Sequence, residues 1–537
     1  MHRALGIGEV LWAIVQQIDP WYDQGSLGAL ATTNRALSEV ALNALWEEPA
    51  LWNLAQRMDE RLWHITREVN VVRRRGIRSR QSPDVSTCHT APSNTFIFEI
   101  QHLEMRPDVT YMSLGERFLS YARRVRRLRL VLNPGCSNQV YPTVVHAWAN
   151  SCPKELFPKL HNLTLSWACC FAAPQMIVLN FMTSNIRTLE LENWPVPSLT
   201  GELEQYCAQL RHACRNLQSI TIALSMSANQ SSVEKFTSAL VTASAHLQTA
   251  VIISPISVDD VLRLRALKLG SLSLRIADHS RHIPALSNQD FAHLVTLKLN
   301  DRTSSGASLR FFLSMHPNGK LRSFSYGAYK PHDFSTLSLF LQHMARWKTL
   351  QAVILAFGGE PSPLSCAQCP DLFSWFHQLP ALQTLGWSGP TCDGVVDRSF
   401  ILDLLRACTT LNSCVMGLDS GAYDVVISFD TFIHILRMKP NARGLPLCVR
   451  AVDLPSIAEL GGFVHASYQR DLRVEAVECP MKLAELCRVM LPSVTNCSAP
   501  YKNASGQDHE RVAKVNQLLE RWSDEGREDM DSPSDEL

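Results

Sequence analysis

The chain has 537 residues, more than one ordinary compact core holds, and its 46% hydrophobic and 19% charged residues exclude a chain disordered throughout. Its 51 basic and 50 acidic residues leave a net charge of +1, which excludes a whole-molecule field for nucleic acid or an anionic membrane, so any electrostatic preference has to be local. Sixteen cysteines at irregular spacings, among them Cys207, Cys214, Cys408 and Cys414 in apolar surroundings, point to free thiols in a reducing compartment, cytoplasm or nucleus, rather than to a disulfide framework.

The N-terminus lacks an uninterrupted apolar stretch of signal-peptide type, and no run of about 18 apolar residues follows, so no membrane association is expected. Ile7, Val10, Leu11, Ile14, Val15 and Ile18 recur at steps of three and one, the stripe of an amphipathic helix that Asp19-Pro20 should stop. Gly25-Ser26 opens a second pattern through Leu27, Leu30, Ala31, Leu37, Ala41, Ala44 and Leu45. Leu45, Trp46, Leu51, Trp52 and Leu54 make a third cluster. So few residues cannot bury this much aliphatic and Trp surface among themselves. They either cap the next domain or bind a partner.

The run Ile7-Gly8-Glu9-Val10-Leu11, with Ile14, Ile18, Leu27, Leu30, Asn34-Arg35, Ala41 and Leu45-Trp46, resembles an F-box, especially the divergent ones that open many fungal F-box proteins. The resemblance covers residues 4–54. Gly8 stands where the family usually has Pro, and Asn34-Arg35-Ala36-Leu37 lacks the Cys and Trp of its frequent middle-helix motif. The resemblance implies docking on a Skp-family adaptor, and through it a cullin, with Ile7, Leu11, Ile14, Leu27, Leu30 and Trp46 on the adaptor-binding face.

Residues 55–120 read as a linker and connection, with Arg73, Arg74, Arg75, Arg78 and Arg80 as a solvated charge run or a nuclear-localisation signal. From about residue 121 an apolar triplet recurs, two residues between its first members and one between its last, which is the strand signature of leucine-rich repeats. It appears at Val125-Leu128-Leu130, Leu160-Leu163-Leu165, Ile186-Leu189-Leu191 and Leu217-Ile220-Ile222. It continues at Leu264-Leu267-Leu269, Leu294-Leu297-Leu299, Leu321-Phe324-Tyr326 and Leu350-Val353-Leu355, then Leu382-Leu385-Trp387 and Leu411-Cys414-Met416, with Leu247-Ala250-Ile252 a weaker match. Most starts lie about 26 to 32 residues apart, and helical patterns such as Val233 to Ala245 and Leu337 to Trp347 fall between them. One such triplet means little; ten at a near-constant period define an array. The expected fold is therefore an α/β leucine-rich-repeat solenoid over 121–495, a horseshoe with strands on its concave side, preceded by a small all-α module. Leu447 to Leu454 and Leu472 to Val477 read as further strands and Leu483 to Met490 as a helix. A last helix falls within 496–522, and 523–537 is an acidic tail expected to be disordered.

The chemistry-bearing spacings are few. No phosphate-binding, dinucleotide, zinc-protease or hydrolase motif occurs. Cys366-x-x-Cys369 has only His377 and Cys392 beyond it, short of two close ligand pairs, and Asp259-Asp260 reads as the acidic start of a helix. No enzyme activity, metal or cofactor is expected, and no nucleic acid, since the arginines at 123–124 and 126–127 lack interleaved aromatics. The expected role is that of a ubiquitin-ligase substrate receptor, its repeats holding an unidentified target protein; the alternative is a non-catalytic scaffold. Trp167, Trp194, Tyr326, Tyr329 and Trp387, at or just beyond strand positions, are the candidate target contacts, with burial in the core the competing reading.

Overall fold

The computed structural model describes residues 8–18, 24–33, 35–49, 53–54, 56–57, 63–73, 95–105, 115–132, 139–140, 156–167, 181, 185–194, 204, 207–208, 215–224, 230–276, 283, 285–301, 306–317, 319–328, 334–357, 374–388, 398–416, 425–438, 447–456, 471–491, 494, 496–499 and 506–528. The chain forms two compact units, Met1–Leu267 and Lys268–Leu537. Each carries an open parallel sheet in a solenoid-like α/β arrangement, of five strands in the first unit and six in the second.

The first unit opens with α1 (Gly8–Val15), α2 (Gln24–Thr33) and α3 (Arg35–Glu47). The apolar pattern read as one helix from Gly25 divides after Thr33. There the Thr32 and Thr33 hydroxyls donate to the carbonyls of Ala29 and Leu30, at 2.8 Å each, and end the helix with side-chain bonds. Leu11, Val15, Leu27, Ala41 and Trp46 are buried.

Two long strands follow where a linker was expected. β1 (Trp63–Arg73) and β2 (Thr95–Met105) pair antiparallel from Trp63↔Met105 to Arg73↔Thr95. Arg73 closes β1; Arg74, Arg75, Arg78 and Arg80 lie outside the described residues. After α4 (Glu116–Ala122) come β3 (Arg127–Leu132), β4 (Gln139–Val140), β5 (Asn162–Trp167), β6 (Thr188–Trp194) and β7 (Ser219–Leu224). The unit closes with α5 (Gln230–Ala243), β8 (Thr249–Ile256) and α6 (Val258–Leu264). β4 adds to the edge of β2, and β3, β5, β6, β7 and β8 pair in parallel in that order.

Where all three side chains are described, the apolar triplet supplies one buried residue ahead of the strand and two inside it, as with Leu160, Leu163 and Leu165, none more than 1% exposed. Burying one such side chain contributes about 1.5–3 kcal/mol. The turn is fixed by the backbone. The Arg126 carbonyl accepts from the N–H groups of both His161 and Asn162, that of His161 from Arg187 and Thr188, and that of Arg187 from Gln218 and Ser219. One oxygen with two lone pairs thus satisfies two successive donors of the next repeat. The series begins at the end of α3, where the Glu47 carbonyl accepts from Arg126 N–H at 3.0 Å.

The second unit continues the pattern with β9 (Ser271–Ile276), β10 (Thr296–Asp301), β11 (Ser323–Ala328), β12 (Ala352–Phe357), β13 (Thr384–Ser388) and β14 (Ser413–Met416), parallel and in chain order. Between them lie α7 (Ala307–Ser314), α8 (Phe334–Met344), a single 3-10 turn at Trp375–Gln378, and α9 (Arg398–Ala407). The expected strand at Leu264-Leu267-Leu269 is displaced by five residues. Leu264 ends α6, and the working triplet is Leu269-Leu272-Leu274, all 1% exposed or less. The sequence offers two overlapping frames there, and the helix cap selects between them. Ser257 Oγ accepts from Asp260 N–H at 3.2 Å, so α6 occupies the first frame. A four-stranded parallel sheet follows, β15 (Val425–Ser428), β16 (Leu447–Arg450), β17 (Asp471–Glu475) and β18 (Asn496–Ser498), with α10 (Phe429–Met438), α11 (Pro480–Met490) and α12 (Gly506–Glu528). α12 runs six residues into the stretch read as a disordered tail. Val512 and Val515 are buried, which holds its N-terminal half in place.

His343, on α8, packs edge-on against Phe312 and Trp347 at 5.2 and 6.3 Å. Burial, reinforced by the Arg346 charge, lowers its pKa from 6.5 to about 4. Between these values the unfolded chain binds a proton that the folded chain refuses, so the contribution is present above pH 6.5 and is lost as pH falls toward 4. At about 1.4 kcal/mol per pKa unit, the wild-type chain should lose roughly 1–3 kcal/mol more stability than His343→Phe between pH 7 and pH 5. Urea unfolding at the two pH values measures the difference; equal losses would assign the pH dependence to other groups.

Candidate interaction surfaces

The three N-terminal helices are joined to the first repeat by side chains as well as by the backbone. Trp46 is 4% exposed and stacks on Tyr121 at 4.5 Å, with the Arg57 guanidinium 5.8 Å from its ring centroid. Arg124 forks onto both carboxylate oxygens of Glu39, at 2.8 and 3.0 Å, and donates to Asn43 at 2.6 Å. That hydrogen bonding holds the Glu39 carboxyl below its ordinary pKa. Arg127 reaches Glu48 at 3.4 Å.

Of the residues expected on an adaptor face, Leu11, Leu27 and Trp46 are therefore interior. Leu30 is half-buried, and Ile14 is 41% exposed. Ile7 lies outside the described residues. Trp46 is interior because it sits in the last turn of α3, against Tyr121 of α4.

Of the candidate aromatic contacts, the three whose side chains are described, Trp194, Tyr326 and Trp387, follow the core reading. Tyr326 and Trp387 are 1% and 0% exposed, because each fills the third triplet position, in register with Leu299 and Leu355 on the inward face. Trp194 would point outward by simple alternation. The pairing of β6 with β7 slips between Glu192 and Trp194, Asn193 takes a φ of 51°, and Trp194 turns inward to 1% exposure. The Trp167 backbone ends β5, but its side chain lies outside the described residues, as does Tyr329.

What the sheet shows to solvent is the other parity. In the first unit Thr164 donates to Glu190 at 2.9 Å, Arg129 lies 4.0 Å from Glu192, and Ile253 is 45% exposed. In the second unit Lys298, Ser325, Ile354 and Gly386 form one row. A Cβ on Gly386 would stand 3.4 Å from both γ carbons of Ile354, so the bare backbone leaves room for that exposed side chain.

A second feature lies in the first unit at the turns ahead of the strands. An open groove of about 560 Å³ is lined by Arg126, Lys159, His161, Arg187 and His246, with Asn185, Asn216, Gln218 and Pro158 completing it. No carboxylate lines it, and Arg126, Lys159 and Arg187 make no ion pair within 4.0 Å among the described residues. The signal was present in the sequence. These residues flank the first member of each triplet, in Lys159-Leu160-His161, Asn185-Ile186-Arg187 and His246-Leu247-Gln248. The apolar residue turns in, and its two neighbours turn out together.

No group of three or more His, Cys, Asp or Glu side chains able to hold a metal occurs among the described residues. Cys366, Cys369 and Cys392 lie outside them. Burial raises the Cys414 pKa to about 12, so this thiol packs as a small hydrophobe. No described helix is long and apolar enough to cross a membrane. No protein-family model matches the chain, and no curated protein matches it.

Proposed function

We propose that the chain is the substrate receptor of a cullin-type ubiquitin ligase, its N-terminal helices an F-box that docks a Skp-family adaptor and its repeats a leucine-rich-repeat solenoid that holds a target protein. The observation that supports this reading is the join between module and first repeat: the Trp46–Tyr121 stack, the Arg124 fork onto Glu39, and the shared backbone series at Glu47. A receptor acts by proximity, and a target held in a fixed relation to the adaptor is presented at high effective concentration. The burial of Leu11, Leu27 and Trp46 favours a second reading, a scaffold whose helices only cap the repeats. The adaptor face is then smaller than the family resemblance implies, and centres on Ile14 and Leu30.

Deletion of the helices would strip Tyr121 and Arg124 of their partners, so surface substitutions separate the readings better. Ile14→Asp should weaken adaptor binding by at least about tenfold while shifting the melting temperature little, since a charge in a desolvated contact costs several kcal/mol and on an exposed helix face almost nothing; Leu30→Asp, at a half-buried position, should weaken binding as much and lower the melting temperature modestly. Biolayer interferometry against immobilised adaptor measures the first effect and thermal unfolding the second. Adaptor binding unchanged in both variants, or no binding by the wild type, supports the scaffold.

A further inference from the structure

We propose that Cys487 and Cys497 are a redox-modifiable dithiol, closed to a disulfide by a hydroperoxide when α12 lifts from the end of the second unit. The observation that carries this is a pair of thiols in contact across two elements. Cys487 lies on α11 and Cys497 at the centre of β18; they are 1% and 2% exposed, and neither is in a disulfide. Their side chains are hydrogen-bonded to each other. Nine residues separate them, so a bond between the sulfurs closes a short loop from helix to strand.

α12 guards the pair. The Asn516 carboxamide holds Cys497 at both backbone groups: its Oδ1 accepts from Cys497 N–H at 2.7 Å, and its Nδ2 donates to the Cys497 carbonyl at 2.9 Å. One side chain thus stands where a further strand would pair. Arg511 donates to the Val477 carbonyl at 2.9 Å, and the Arg488 guanidinium of α11 lies 5.4 Å from the Trp522 ring centroid. The contact with Cys497, and then burial, hold the Cys487 thiol well above its ordinary pKa. A protonated, buried thiol is inert, so reaction waits for a local opening, which costs less than global unfolding. α12 is the element laid over Cys497. On opening, one thiolate attacks the outer oxygen of the hydroperoxide. The O–O bond breaks, an alcohol leaves (water, for hydrogen peroxide), and the cysteine becomes a sulfenic acid. The second thiol attacks that sulfur, the S–S bond forms, and the oxygen leaves as water. The two thiols give up two electrons and two protons, and the peroxide takes both. The disulfide then ties β18 to α11 whether or not α12 is docked. Disulfides that form in a reducing compartment are mostly transient and redox-sensing, which is the role this pair fits.

The test treats the reduced full chain with hydrogen peroxide, blocks the remaining thiols with N-ethylmaleimide, and maps tryptic peptides by mass spectrometry. Trypsin cuts after Lys482, Arg488 and Lys502, which puts the two cysteines in separate peptides. The expected product is the linked pair of peptides, separated again by dithiothreitol. Asn516→Ala removes two hydrogen bonds of α12 and should speed the linkage about tenfold; Arg511→Ala, at an exposed position, removes one and should speed it several-fold. Circular dichroism verifies the fold, and Arg511→Ala keeps the comparison if Asn516→Ala unfolds. The exposed Cys479 is the unguarded reference, and its oxidation should run at one rate in all three chains. Oxidation of Cys479 with Cys487 and Cys497 still reduced overturns the proposal, as does linkage of either to another cysteine. Equal linkage rates in the wild type and both variants also overturn it, since α12 is then no guard. No adaptor enters the measurement, so the result stands apart from the receptor reading.

Discussion

Phe312→Ala is expected to lower the unfolding free energy of the chain by about 3–5 kcal/mol, the range for removing a fully buried phenyl ring. Phe312 is 0% exposed on α7. Its ring stacks on Phe324 of β11 at 4.3 Å, and lies 5.5 Å from Phe340 and 5.8 Å from Trp347. It therefore touches its neighbour's strand and its neighbour's helix at once. In an array where each repeat packs only on the next, one such ring carries much of the coupling between two of them. Urea unfolding with far-UV detection measures the loss. A broadened transition would mean that coupling between repeats failed before the repeats themselves; a loss below about 1 kcal/mol would mean that the surrounding rings close the cavity.

Asp301→Ala should cost about 3–4 kcal/mol, because it orphans three buried donors at about 1–3 kcal/mol each, partly recovered by relaxation. Asp301 ends β10 and is 2% exposed. Its carboxylate accepts from Tyr326 Oη at 3.0 Å, from Ser308 N–H at 3.0 Å and from Leu309 N–H at 3.3 Å. The last two are first-turn amides of α7, whose own N-cap, Gly306, has a φ of 62° and no side chain to offer. A residue of the preceding strand thus does the work of the missing cap, and the helix dipole favours its charge. Burial, with the Asp301 charge added, raises the Tyr326 pKa far above that of an ordinary phenol, so the hydroxyl keeps its proton and donates. Tyr326→Phe removes one of the three bonds and should cost only about 1–2 kcal/mol. The double variant, compared with the two single ones, should show strong non-additivity; simple addition would mean that the two side chains act independently.

These two clusters show how far the sequence could be read. The triplets were legible because inward leucines leave the same trace in every repeat, and the same register sends Tyr326 and Trp387 inward, the core reading of these aromatics. Leu264-Leu267-Leu269 was misframed because leucine occupies both possible registers, and only the Ser257 cap decides between them. Trp194 required a backbone slip at Asn193 that no alternation rule contains. β1 and β2 escaped notice because charged and polar residues alternate through them and no turn signal joins two strands so far apart in sequence. Trp46 was legible as an anchor but not as to what it anchors, since its partner Tyr121 lies 75 residues on. The rim-groove residues are legible singly, as the flanks of each triplet, but not as a groove, since only the repeat brings them side by side.

The receptor reading is tested most directly by mixing the purified full chain with a Skp-family adaptor and a cullin, and measuring the mass of the eluted species by light scattering. Receptor function predicts one complex containing a single copy of each, lost for both Ile14→Asp and Leu30→Asp. A folded chain that elutes alone, with the adaptor and cullin in their own peak, would contradict it and leave the N-terminal helices as the cap of a scaffold.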